Sequence, residues 1–140
     1  MKSLSEIETI SKRASRASGY SWGISEEVGK SVRLLEMFSF KGVKNLNEYF
    51  QEKKDKKFEN LNSINENNEC LEFSYCPIIL GVSFLDQIKN LEKIKTINFS
   101  KIAYPLLFLP FLSRSSEVIG RKIFFKFEKN EFLLNINVNI

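Results

Sequence analysis

Ser5 to Glu36 reads SEIETISKRASRASGYSWGISEEVGKSVRLLE, and its periodicity decides the first half of the fold. Two helical patterns meet at a short turn, Gly19-Tyr20-Ser21-Trp22-Gly23. The first opens on Ser5 and Glu8, a capping box in which each side chain meets a backbone amide that the helix leaves unpaired. Ile7, Ile10, Ala14 and Ala17 then recur at helical spacing and predict its apolar face. Gly19 suits the left-handed position that ends a helix. Ser21 is placed to cap the second helix, whose stripe is Ile24, Val28, Val32 and Leu35. Gly29 inside that helix costs about 1 kcal/mol relative to alanine. A close backbone crossing, opposite the face that carries Ala14 and Ala17, accounts for it.

The turn also carries the residues with the most chemistry. At about 100° per residue, Glu26 falls opposite Val28 on a polar face and can pair with Lys30 one turn on. Glu27 falls on the flank of the apolar stripe. A carboxylate at such an edge either finds a cation or has its pKa raised by desolvation. Arg13 holds the matching flank of the first helix, and Arg16 lies one turn nearer the bend. The reading on base rates is a structural pair between Glu27 and Arg13. The functional reading is a small-molecule site built from Arg13, Arg16, Ser21, Trp22 and Glu27. The free amides at the helix start and Arg16 would hold a carboxylate or phosphate, with Glu27 as a weak candidate for a catalytic base. Trp22 is read mainly as a core residue, and alternatively as one wall of that pocket. Gly19 to Gly23 also matches G-x-S-x-G, but a nucleophile elbow needs a strand before it and a histidine elsewhere. A helix precedes it here, and the chain has no histidine.

The blocks Lys12-Arg13-Ala14, Gly19-x-Ser21-Trp22-Gly23, Glu26-Glu27-x-Gly29 and Arg33-x-Leu35 resemble the opening of an uncharacterised bacterial family, domain of unknown function 3726. Cys76-Pro77 to Gly81 and Pro105 to Leu112 resemble two of its later stretches. The resemblance implies neither reaction nor cofactor nor substrate. The chain looks shorter than family members, with a polar Lys/Asn/Glu tract where they carry more structured sequence.

Composition narrows the chemistry. The absence of histidine removes Ser-His-Asp and Cys-His catalysis and most zinc and iron ligand sets. Asp55 and Asp86 are the only aspartates, which disfavours carboxylate cages for magnesium or calcium, so neither metal nor cofactor is expected. Cys70 and Cys76 match no zinc or redox spacing and read as reduced thiols. Cys76, at a helix start, is the one plausible nucleophile, although a small buried hydrophobe is the commoner role. The net charge of +4 comes from interleaved cations and acids, with no single-sign patch, so no nucleic-acid partner is expected. The N-terminus lacks the apolar core of a signal peptide, and the run from Ile102 to Leu112 is too short to span a bilayer. A cytoplasmic protein without a membrane partner is expected.

At 140 residues, a single domain over 1–140 is expected. Asn45 and Glu48 predict a short helix with Leu46, Tyr49 and Phe50 on its face. Residues 51–69 read as an exposed polar loop, removable over Leu61 to Asn68 with little effect on melting. Leu71, Phe73 and Tyr75 alternate as a strand. Pro77 opens a buried helix to about Ile88, in which Gly81 allows close contact. Lys95 to Phe99 reads as a strand, and Tyr104 to Leu112 as a segment kinked at Pro110 that leads to a helix ending before Gly120. Ile123, Phe125 and Phe127 alternate, then turn at Lys129-Asn130 into Phe132, Leu134, Ile136, Val138 and Ile140. The fold class is α+β: an N-terminal helical hairpin with further short helices, packed on a small, mainly antiparallel sheet. The partners implied are a small anionic ligand at the turn, or alternatively a protein partner or second copy docked on the edge of the C-terminal hairpin.

Overall fold

The computed structural model describes residues 2–128 and 130–134, the last five as backbone. The class is α+β, with five helices and two small pairs of strands. The sequence reading takes 1–140 as one domain; the chain divides into two compact units, Met1–Lys56 and Lys57–Ile140.

The first unit holds α1 (Leu4–Ala17), α2 (Trp22–Met37) and α3 (Gly42–Lys53). The cap of α1 lies two residues earlier than expected. Ser3 Oγ accepts from the Glu6 amide at 3.2 Å, so Ser3 and Glu6, rather than Ser5 and Glu8, head the helix. The buried face of α1 also differs from the expected one. Ser11 and Ser15 are buried, Ile7 and Ala14 half-buried, and Ile10 and Ala17 exposed. The crossing explains this. A Cβ on Gly29 would sit 2.8 Å from the Glu8 carbonyl oxygen and 3.5 Å from Lys12 Cβ, so α2 meets the backbone of α1 at Glu8 and Lys12. Only small side chains fit beside such a contact. Ser15 meets its own need by donating its hydroxyl to the Ser11 carbonyl at 2.8 Å. Ser25 and Ser31 of α2 are buried, and their hydroxyls have no partner among the described residues.

The stripe of α2 is as expected over Val28, Val32 and Leu35, which are all buried. The helix α3 starts at Gly42, three residues ahead of the expected Asn45 cap. The Gly42 amide donates to Glu36 Oε2 at 3.0 Å, so a side chain of α2 does the capping. Leu46 and Tyr49 face the core of this unit, and Tyr20 joins them, its hydroxyl 3.5 Å from that of Tyr49.

The second unit contains β1 (Asn67–Asn68), α4 (Pro77–Leu91), β2 (Asn98–Phe99), α5 (Leu109–Ile119), β3 (Ile123–Phe127) and β4 (Asn130–Leu134). The single, mainly antiparallel sheet expected from sequence is not what forms. β1 pairs with β2 in parallel, and β3 pairs with β4 as a separate antiparallel pair, Ile123 opposite Leu134 and Phe127 opposite Asn130. Asn130 is therefore already in the ladder, and the positive φ of the connection falls on Glu128. Ile136, Val138 and Ile140 lie outside the described residues.

Two further expectations change for one reason. Leu71, Phe73 and Tyr75 do not form a strand; Leu71 is 96% exposed. Glu59 takes the amides of residues 71 to 73 instead, while the Tyr75 amide donates to the Lys101 carbonyl. The Glu59 Oε1 accepts from the Leu71 amide at 3.0 Å, and its Oε2 from those of Glu72 and Phe73, the latter at 2.7 Å. The Glu59 backbone adds bonds to Ser74 and Cys76. The polar tract 51–69 is accordingly not loose chain throughout. Lys54 to Lys57 is exposed, but Ile64 and Asn68 are buried, and the Ile64 amide donates to the side chain of Gln87 on α4. Removing Leu61 to Asn68 would therefore take out core contacts and β1.

Helix α4 opens on Pro77 as expected, with buried Cys76 as its N-cap. That position makes Cys76 a packed core residue. The phenyl ring of Phe111 lies against Gly81, where α5 passes α4 with no room for a side chain. Pro110 does not kink α5. It sits in the first turn, where the missing amide leaves no bond unmade, after a 3-10 turn at Pro105–Leu107. Gly120 ends α5 with φ of +64°. The rings of Phe84, Phe99 and Phe125 each meet that of buried Phe108 edge-on, with centroids 5.5 to 5.9 Å apart.

Two measurements follow. Gly29→Ala gains about 1 kcal/mol of helix propensity but forces a methyl against the Glu8 carbonyl, an overpacking cost of about 1–3 kcal/mol. Urea unfolding should show a net loss of about 1 kcal/mol, and a stabilised variant would disprove the close crossing. Glu59 is held below the ordinary glutamate range by the amides of Glu72, Leu71 and Phe73. A depressed folded-state pKa gives stability that is full above about pH 4.5 and lost as pH falls through the lowered value. Glu59→Gln should thus melt below wild type at pH 7, with the gap closing in acid; a pH-independent gap would mean the ionised form is not what matters.

Candidate functional site at the helix-helix turn

The turn is built by α1 and α2 together. Gly19 takes a φ of +101°, which closes α1 and lets the Tyr20 amide reach back to the Ser15 carbonyl. Ser21 caps α2 as expected, its hydroxyl accepting from the Ile24 amide at 3.2 Å. The Ser21 carbonyl takes the Ser25 amide. The four amides that this helix start leaves over are those of Ser21 to Ile24; the Ser21 hydroxyl takes that of Ile24, and those of Trp22 and Gly23 in the first turn have no partner among the described residues.

Trp22 is not a core residue. It is 60% exposed, against the sequence expectation, at the first position of α2, two turns before the close crossing at Gly29. Two cations of α1 lie against its ring. The Arg16 guanidinium carbon is 4.7 Å from the ring centroid and Lys12 Nζ is 5.2 Å away, within cation–π range. Arg16 also donates to the Tyr20 carbonyl at 3.0 Å, which fixes it across the turn. Lys12 pairs with Glu26 at 3.2 Å, so Glu26 bridges the two helices and does not pair with Lys30. A second bridge joins Arg33 to Glu8, also at 3.2 Å. Lys53 of α3 lies over the ring of Tyr20 at 4.1 Å.

The structure thus gathers Arg16, Ser21 and Trp22 from the predicted set and adds Lys12 and Glu26. Arg13 is exposed, and the cations that lie over the Trp22 ring are Lys12 and Arg16. Glu27 is half-buried and does have a partner. Lys12 was visible in the sequence, since Lys12 and Arg16 sit four apart and share a helix face. Its part in the site depends on Trp22 being outside, which the sequence did not signal. Among the described residues, no group of three or more His, Cys, Asp or Glu side chains gathers as a metal site. No helix among them is long and apolar enough to cross a membrane.

An α+β protein with a three-helix N-terminal unit and an exposed tryptophan at its first turn is the class these features define. The chain belongs to a protein family of unknown function, DUF3726, whose model matches residues 2–74, just over half of it. No curated protein and no solved structure matches the chain. The matched stretch contains the whole turn site.

Arg13 supplies the check on the pairing expected from sequence. Arg13→Ala should change the unfolding free energy by less than about 0.5 kcal/mol and show no coupling to Glu27→Gln in a double-mutant cycle. A clear coupling would restore the Arg13–Glu27 pair.

Proposed function

We propose that the protein binds a small anionic molecule, a phosphate or carboxylate, at the α1–α2 turn. The observation that carries this reading is the exposed Trp22 ring at the start of α2, flanked by Lys12 and Arg16. A helix N-terminus offers oriented amides and a partial positive charge to an anion. Here the Trp22 and Gly23 amides supply the donors, Arg16 and Lys12 the charge, and the indole a flat apolar wall. No side chain crowds Gly23, so a ligand can approach its backbone. Of the residues read from sequence, Arg16, Ser21 and Trp22 form the site. Arg13 enters the proposed site as an exposed cation of α1, and Glu27 stands as the weak candidate for a base. The reading is of binding; no group in the turn is placed to be a nucleophile.

Trp22 is the chain's single tryptophan, so its emission reports on this site alone. Titration with inorganic phosphate at constant ionic strength should give a saturable change in emission and a rise in melting temperature. Arg16→Gln and Lys12→Gln should each weaken the response about tenfold, as expected for a charge-assisted contact. Equal responses to phosphate and chloride, or none to phosphate, citrate and acetate, would overturn the reading. The alternative of a docking edge on the C-terminal strands concerns the second unit and stands on its own observations.

A further inference from the structure

The second unit contains a cleft of 1380 Å³, lined between Ser74 and Glu128, of which Ser74 alone falls within the residues matched by the family model. Its floor is half-buried Phe99 and Phe125, which meet fully buried Phe108 edge-on, with Ile123 and Phe127 beside them. Two segments form its sides, 93–102, which carries β2, and 121–128, which carries β3, and each contributes every residue. A strand that met the cleft with one of its faces would contribute alternate residues only, because successive side chains point to opposite faces. The two segments therefore border the cleft with their edges. The opposite edge of β2 is occupied by β1, and that of β3 by β4. Over Ile123 to Phe125 the cleft thus meets a strand edge with backbone donors and acceptors beside an apolar floor.

The charge of the rim is one-sided. Lys93, Lys95, Lys101 and Arg121 line it, against Glu92 and Glu128. Lys122 and Lys126 fall with exposed Phe124 on the outer face of β3 and are not needed for the argument. We propose that the cleft takes an extended acidic peptide segment, paired through its backbone to the edge of β3, with alternate apolar side chains laid on the phenylalanine floor. Strand addition supplies affinity through main-chain hydrogen bonds and specificity through alternate side chains. The four rim cations select acidic residues at the intervening positions. A fatty-acid chain would satisfy the floor and the cations but leave the strand edge unmet. At 3.3 to 3.4 Å per residue, the five residues of β3 match a peptide of about five or six.

The test uses the full chain, isotopically labelled for amide NMR, and the probe acetyl-Glu-Val-Glu-Val-Glu-Val-amide. The expected result is saturable shifts confined to amides of 94–101 and 121–127, with the Trp22 indole signal unmoved. A fully N-methylated copy of the probe and one with Lys in place of Glu should each bind at least about tenfold more weakly, the first for lack of a ladder and the second for charge. Lys101→Glu combined with Arg121→Glu changes exposed side chains only and should weaken the probe to a similar degree. Equal binding of the N-methylated copy would overturn strand pairing. Laurate saturating the cleft where the peptide does not would make it an amphiphile pocket, and shifts outside the cleft, or none, would remove the site. Phosphate binding read at Trp22 is independent of all these outcomes, so the two sites fail separately.

Discussion

The Glu8 carbonyl oxygen lies where a side chain on residue 29 would begin, and the N-terminal unit is arranged around that contact. When two helices approach to backbone distance, the residues beside the crossing must be small. Ser11 and Ser15 of α1 and Ser25 of α2 are buried on the helix faces that carry this crossing. Ile10 lies at the surface and so does Trp22. The exposed indole is the surface on which Lys12 and Arg16 settle, and Glu26 meets Lys12 across the gap. The candidate site spans the two helices that this contact holds together.

The second unit depends on one carboxylate in a comparable way. Glu59 gathers three consecutive amides of 71–73 while its own backbone bonds to Ser74 and Cys76. Those bonds fix the approach to Cys76 and hence the start of α4. They also leave Leu71 in solvent. The polar stretch 51–69 supplies this anchor along with Ile64 and β1, so its bias toward Lys, Asn and Glu conceals structural parts.

What the sequence revealed were features settled within a few residues of themselves. The Ser21 cap, Gly19 at the end of α1, Pro77 at the head of α4 and the alternation of β3 are all of this kind. Gly29 was legible too, as a requirement for proximity, but not which residues of α1 it would meet. What failed was decided at longer range. The face of α1 was read from hydrophobicity, while the crossing selects by size. The alternation of Leu71, Phe73 and Tyr75 matched a strand, but Glu59, twelve residues before Leu71, took the Leu71 and Phe73 amides that such a strand would pair. At the turn, Ser21 caps α2 as expected and Arg16 lies against the Trp22 ring, while a cross-helix ion pair that the wheel did not suggest joins Lys12 to Glu26. Wheel angles fix a direction around one helix and say nothing of the rotation of its neighbour.

Ser25, one turn before Gly29 on the crossing face of α2, holds a buried hydroxyl that donates to nothing among the described residues. A buried polar atom without a partner is a net cost, and a methyl of similar size would sit there at least as well. The seam between α1 and α2 therefore enforces volume and is indifferent to polarity. Alanine would serve as well as serine at Ser25, whereas position 29 admits glycine alone. A search that scores this seam by hydrophobic pattern would pass over kin that a search by side-chain volume would find.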